Sequence, residues 1–387
     1  MRQTKALRIV TIAAIAMAAV AIVAVATFSV IRRVAETRRL QEIRVEVDLP
    51  GAPQLESLVT NTLRGTVAAP DDESTLIVST KDRTADSSQV KDPGAGEPSR
   101  SSQPDVRVGY VNSASARLIA FDPYVLVVDQ RVGSDLLNAA FSLADFADAA
   151  AAAGVPTRLP LAVAGDEPVD FAAFLLYLAG ELLPSERFDT IVASLRDSAQ
   201  LRSAEPAASA TAMSEAEFAE AIAALAPVLA LLDSWRRRGI LAVNWTDWDD
   251  VAVRQALRGG GSVAAFRRRG ELTALGHTDA FSLRTARLPV GEGRRSYRLY
   301  GTAVAAAPAD GPRADAAPLL TDVLLSGSVQ DAIERETAFS PVALEGDPLN
   351  RSHRDIVRWY RNAERLVVVD DSIAAHPLFE RLKILLR

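Results

Sequence analysis

The chain of 387 residues has no cysteine, three histidines and only four lysines among its 43 basic residues. Without thiols it can form no disulfide, no thiolate nucleophile and no cysteine-bound zinc site. His277, His353 and His376 are scattered, and there is no H-E-x-x-H pair, Walker A loop or dinucleotide fingerprint. Gly260-Gly261-Ser262-Val263-Ala264 falls one residue short of a nucleophile elbow and follows a helical rather than a strand pattern. No catalytic site, metal site or cofactor is expected on these grounds, and the chain is read as a non-enzyme. Basic charge is also in deficit: a net charge of −6 argues against nucleic acid as a partner, because phosphate binding needs a basic face.

Long hydrophobic runs are equally scarce, with one exception. Residues 9–31 carry no charge, with Arg2, Lys5 and Arg8 before them and Arg32-Arg33 after. About 20 apolar residues span the hydrocarbon core of a bilayer as a helix. Ala24-Val25-Ala26 has the pattern of a signal cleavage site, yet the apolar run continues to Ile31, which favours an uncleaved anchor. Positive charge on both sides leaves its orientation open. The remainder, in a chain 49% hydrophobic and 24% charged, is long enough for two globular domains.

That remainder is organised around residues 117–130, RLIAFDPYVLVVDQ, where two β-rich runs flank Asp122-Pro123. Proline has no N–H to donate and biases the preceding residue away from the helical region. The stretch predicts a strand that leaves one sheet and enters another.

Upstream, residues 42–49 alternate apolar and charged side chains as a half-exposed strand does, residues 51–64 have helical spacing and residues 75–80 read as a strand, a β-α-β beginning. Residues 81–105 are rich in Ser, Asp, Pro and Gly and predict a mobile loop. Downstream, helices are expected over 142–153, 169–183, 214–235, 247–257, 353–364 and 377–386. A strand is expected over 262–266, and residues 202–213 read as an Ala/Ser/Pro linker. Ser214-x-x-Glu217 has capping-box spacing.

Ile119-Ala120-Phe121-Asp122, the Gly259-Gly260-Gly261 turn before a small-residue strand, Leu288-Pro289, the Gly301-containing strand and Ser340-Pro341-Val342 follow one another in a familiar order. In that order the chain resembles, from about residue 117 to 386, the bacterial extracellular solute-binding proteins that serve ABC importers of sugars and oligosaccharides. The resemblance implies an α/β fold of the two-lobed type 2 periplasmic-binding-protein class with an interlobe cleft, preceded by one N-terminal transmembrane helix. The boundaries it implies are 1–35 for the anchor, 36–120 for a shortened first lobe and 121–289 for the second lobe. Residues 290–325 then return to the first lobe, and helices in 326–387 pack on the second. The resemblance also implies strands over 281–288 and 298–306 and helices over 314–325 and 329–336.

It also implies a body outside the cytoplasm, a small polar ligand, sugar or anionic, and an ABC permease as partner. Carried across by position, the ligand-binding residues are Asp122, Phe171, Arg269, Tyr300 and Phe379. The family's Tyr-Asn pair is Val128-Asp129 here, and its Trp loop is Phe266-Arg267-Arg268-Arg269-Gly270-Glu271. A pocket built on the arginine triplet would favour an anion, while the triplet taken alone reads as a solvated loop. The departures leave an envelope scaffold that keeps the fold without a small-molecule site as the alternative. Trp245 and Trp248 are either a sugar platform or packing at a helix start. Asp247, Asp249 and Asp250 are either calcium ligands or acids favoured by the helix dipole.

Overall fold

The computed structural model describes residues 45–49, 52–63, 76–79, 107–108, 117–130, 136, 142–153, 158–204, 213–274, 283–289, 298–308, 316–342, 355–356, 358–359, 363 and 365–387. The expected anchor at 9–31, the loop at 81–105 and most of the helix expected at 353–364 lie outside them. Among the described residues no helix is long and apolar enough to cross a membrane.

The strands are β1 (Val45–Asp48), β2 (Leu76–Ser79), β3 (Arg107–Val108), β4 (Arg117–Asp129), β5 (Leu159–Val163), β6 (Ser262–Arg268), β7 (Leu283–Ala286), β8 (Arg298–Pro308), β9 (Ser340–Pro341) and β10 (Arg365–Val368). The helices are α1 (Pro53–Thr62), α2 (Leu143–Ala152), α3 (Pro168–Leu182), α4 (Ser185–Ala204), α5 (Glu215–Arg237), α6 (Asp250–Arg258), α7 (Ala317–Leu324), α8 (Gly327–Glu336), α9 (Asp371–Ala374) and α10 (Pro377–Leu386).

Local signals account for many of the helix starts. Ser142 with Asp145 and Ser214 with Glu217 form reciprocal capping boxes at α2 and α5. Asp249 accepts the Ala252 N–H at the start of α6, and prolines at the first or second helical position begin α1, α3, α7 and α10. Residues 202–204 of the expected linker belong to α4, and residues 205–212 of it lie outside the described residues. β3, β5, β10, α4 and α9 had no counterpart in the sequence reading.

Strand β4 holds the architecture together. Its residues 117–123 pair antiparallel with β8, and Ala120 and Phe121 pair with β9. From Tyr124 onward the partners change: residues 124–128 pair with β6 and 126–129 with β7. The expected passage from one set of strands to another therefore occurs at Pro123-Tyr124. A first sheet of β1, β2, β8 and the start of β4 continues through β4 into a second of β6 and β5. Pro123 stands opposite Gly301 of β8. A Cβ at Gly301 would collide with the Asp122 carbonyl and lie 2.5 Å from the Phe121 ring, so this crossing requires glycine.

Every residue of β4 from Leu118 to Asp129 is buried, as expected of a strand covered on both faces. The largest core gathers around α3, whose residues 170–180 are all buried, and includes Phe174, Trp235, Trp245 and Phe266. A second core under the first sheet joins Leu55 and Val59 of α1 to Leu76, Ile119, Val304, Leu320 and Ile333. Burying one such Leu, Ile or Phe side chain stabilises by about 1.5–3 kcal/mol.

The strand junction as candidate binding site

Asp122 lies one residue before the end of the part of β4 that pairs with β8 and is 5% exposed. Its Oδ1 accepts the Gly270 backbone N–H at 2.7 Å, tying the turn after β6 to β4. Gly270 is required there, since a Cβ would come within 2.9 Å of Ala338 and Asp122 atoms. Burial, partly opposed by Arg268 and the Gly270 N–H, pushes the Asp122 carboxyl up to about 7. Arg269, next in the chain, reaches the Ala338 carbonyl at 3.4 Å, and burial holds its pKa below the usual arginine value.

On the other side of Pro123, Tyr124 stacks on Phe266 with centroids 4.9 Å apart and donates its hydroxyl to Asp170 Oδ1 at 2.6 Å. Burial, and then the Asp170 charge beside it, raise the Tyr124 hydroxyl well above its ordinary range. Asp170 sits in the first turn of α3, where a helix N-terminus favours an acid. Burial and the nearby Glu271 charge nevertheless raise its pKa.

Two arginines lie against these acids. Arg267, 1% exposed, binds Asp250 Oδ1 at 2.5 Å and Glu271 Oε2 at 2.6 Å through Nη2. Arg268 Nη2 contacts Glu271 Oε1 at 2.6 Å, and its Nε lies 3.4 Å from Asp170 Oδ1. Burial works against the Arg268 charge, but Tyr124, Asp170, Glu271 and Asp122 outweigh it and its pKa is raised. Burial, and then the charges of Asp250 and Asp166, raise the pKa of Glu167 against the opposing charge of Arg268. Asp122, Glu167, Asp170, Asp250 and Glu271 thus share this junction with Arg267, Arg268 and Arg269, and Arg254 adds a further positive charge beside Asp250.

The arginine triplet is therefore not a solvated loop. Arg267 and Arg268 belong to β6, and Arg269 begins the 3-10 turn Arg269–Ala274. The alternation of the sequence hides this because the compensating acids, Asp170 and Asp250, come from other elements.

Of the five residues predicted to bind ligand, the structure brings Asp122 and Arg269 together at the junction. Phe171 stacks on Trp245 at 5.6 Å and is 1% exposed. Tyr300 meets Tyr177 edge-on at 5.5 Å, its hydroxyl filling the space a side chain at Gly180 would need. Phe379 lies in the same core on α10. Trp245 is fully buried against Phe171 and Phe174, which is packing at a helix start. Asp249 caps α6, whereas Asp250 turns to Arg267. The sequence reading missed Tyr124 and Asp170 as site residues, and named Arg268 and Glu271 only as part of the stretch that stands for the family's Trp loop. Asp170 did leave a signal, as the lone charge in the otherwise apolar run of α3 up to Gly180.

No family model matches the chain, and no curated protein sequence matches it. Solved structures do. The putative binding protein msme from Bacillus subtilis subsp. subtilis str. 168 superposes with a TM-score of 0.57 at 8% identity, over 89% of this chain and 91% of that one. The bacterial solute receptor AcbH, described as exclusive for β-D-galactopyranose, gives 0.57 at 10% identity over 90% and 100%. A putative oligosaccharide periplasmic-binding protein from Synechococcus sp. MITs9220 gives 0.56 at 14% identity over 89% and 93%. The chain has the fold of the bacterial sugar and oligosaccharide solute-binding proteins.

Proposed function

We propose that the protein is a non-enzymatic extracytoplasmic solute receptor, tethered by its N-terminal apolar segment and serving an ABC importer. Residues 36–120 with the return at 290–325 form one lobe, residues 121–289 the other, and the ligand sits between them. The observation that carries this reading is the change of partners along β4 at Asp122-Pro123-Tyr124. A strand shared between two sheets places polar side chains from both beside one junction. The preferred ligand is a neutral sugar rather than an anion, because each arginine of the triplet already faces a carboxylate or carbonyl. Carboxylates pair well with sugar hydroxyls.

The test is a thermal-shift screen of the full chain in detergent against sugars, sugar acids and phosphates. A ligand at one hundred times its dissociation constant adds about 2.7 kcal/mol and raises Tm. A response confined to anions overturns the sugar preference. The scaffold reading is favoured by a separate observation: Phe171, Tyr300 and Phe379 are each at most 3% exposed and pack on protein. It predicts that no solute moves Tm.

A further inference from the structure

Beside the junction, three carboxylates arrive from separate elements. Asp170 comes from the first turn of α3, Asp250 begins α6, and Glu271 lies in the 3-10 turn after β6. Each offers an oxygen within 4.8 Å of the other two. Oxygens bound to one calcium ion at about 2.3–2.6 Å can stand up to about 5 Å apart, so this spacing fits a single shared ion.

A second observation is independent of that spacing. Asp170 is 1% exposed; its Oδ1 takes the Tyr124 hydroxyl, while its Oδ2 is buried and has no hydrogen-bond partner. A buried carboxylate oxygen left in this condition is costly unless a cation meets it. Arg267 is committed elsewhere, to Asp250 Oδ1 and Glu271 Oε2. It holds those two acids in place. Arg268 lies with its Nε 3.4 Å from Asp170 Oδ1, and its side chain is 34% exposed.

We propose that Asp170, Asp250 and Glu271 form a binding site for a hard divalent cation, calcium first, with Arg268 as the displaceable group that competes for it. All three donors are oxygens, which suits calcium, magnesium and manganese rather than zinc or copper. As the ion enters, Arg268 releases Glu271 Oε1 and swings to solvent, while buried Arg267 stays. The site needs no solute and is independent of which sugar, if any, the protein binds.

The experiment uses the full chain, treated with chelator and titrated calorimetrically at pH 8 with calcium, magnesium or manganese chloride, with sodium chloride at matched ionic strength as control. Saturable binding of one calcium per chain and a rise in Tm beyond the sodium control are expected. Asp170→Asn should weaken binding at least tenfold, and Glu271→Gln serves the same end if that variant does not fold. Arg268→Gln should tighten binding several-fold, a sign that a purely structural arginine would not give. No saturable heat with any of the three ions, or calcium binding to Asp170→Asn and Glu271→Gln as tight as to the parent, overturns the proposal.

Discussion

Gly270 donates its backbone N–H to Asp122 Oδ1 at 2.7 Å, and through this bond the turn that ends the second sheet's β6 is fastened to the strand that enters from the first. The acceptor is a carboxyl that burial raises to about 7, so it carries a proton over much of the acidic range. Its titration, its packing and the glycines beside it each give a measurable consequence.

For Asp122 the sign is fixed by the direction of the shift. Between about pH 4 and 7 the folded state holds a proton that the unfolded chain has released, so this group makes stability fall as pH rises through that window and level off above it. The full effect is on the order of 4 kcal/mol. Asp122→Asn keeps an acceptor for Gly270 and cannot ionise. Denaturant melts from pH 4 to 8 should show a shallower decline for the variant, with the largest gain at pH 8.

Gly301→Ala tests the crossing of β8 and β4. The new methyl would meet the Asp122 carbonyl and the Phe121 ring, neither of which is the free end of a flexible chain. Overpacking of this kind costs about 1–3 kcal/mol. A lowered Tm, measured by calorimetry, is expected, whereas Gly239→Asn, with φ of 68° and open space around it, should be nearly neutral.

Gln330 of α8 is fully buried and serves three backbone groups. Its Nε2 donates to the carbonyls of Ile119 and Leu324, and its Oε1 accepts the Val342 N–H at 2.9 Å. Gln330→Leu leaves all three unsatisfied and should destabilise by about 2–4 kcal/mol. Urea midpoints with an unchanged slope would report this loss.

Tyr124→Phe removes only the hydroxyl and keeps the ring on Phe266. Asp170 then loses its 2.6 Å donor while remaining buried. Hydrogen bonds to charged groups are worth about 1.5–3 kcal/mol, and a loss of that size in equilibrium unfolding is expected.

Features with local causes were legible in the sequence. The capping boxes at Ser142 and Ser214 lie within four residues, and Pro123 announced the change of partners along β4. β5 was hidden by Pro160, which is tolerated because β5 stands at the end of the strand order, pairing parallel to β6. The burial of Arg267 depends on Asp250, seventeen positions away, and that of Asp170 on Tyr124, forty-six away. Such pairs have no period to read. For the same reason the apolar candidates Phe171 and Phe379 looked alike whether bound for a ligand or for the core.

Because β4 runs unbroken from one set of partners into the next, a rotation of one sheet against the other finds no slack in that strand. It must be taken up as torsion in the backbone of residues 121–124 and of β8 facing it at Gly301. Such a rotation would load first the pairing of Pro123 with Gly301, the last register of β8 on β4.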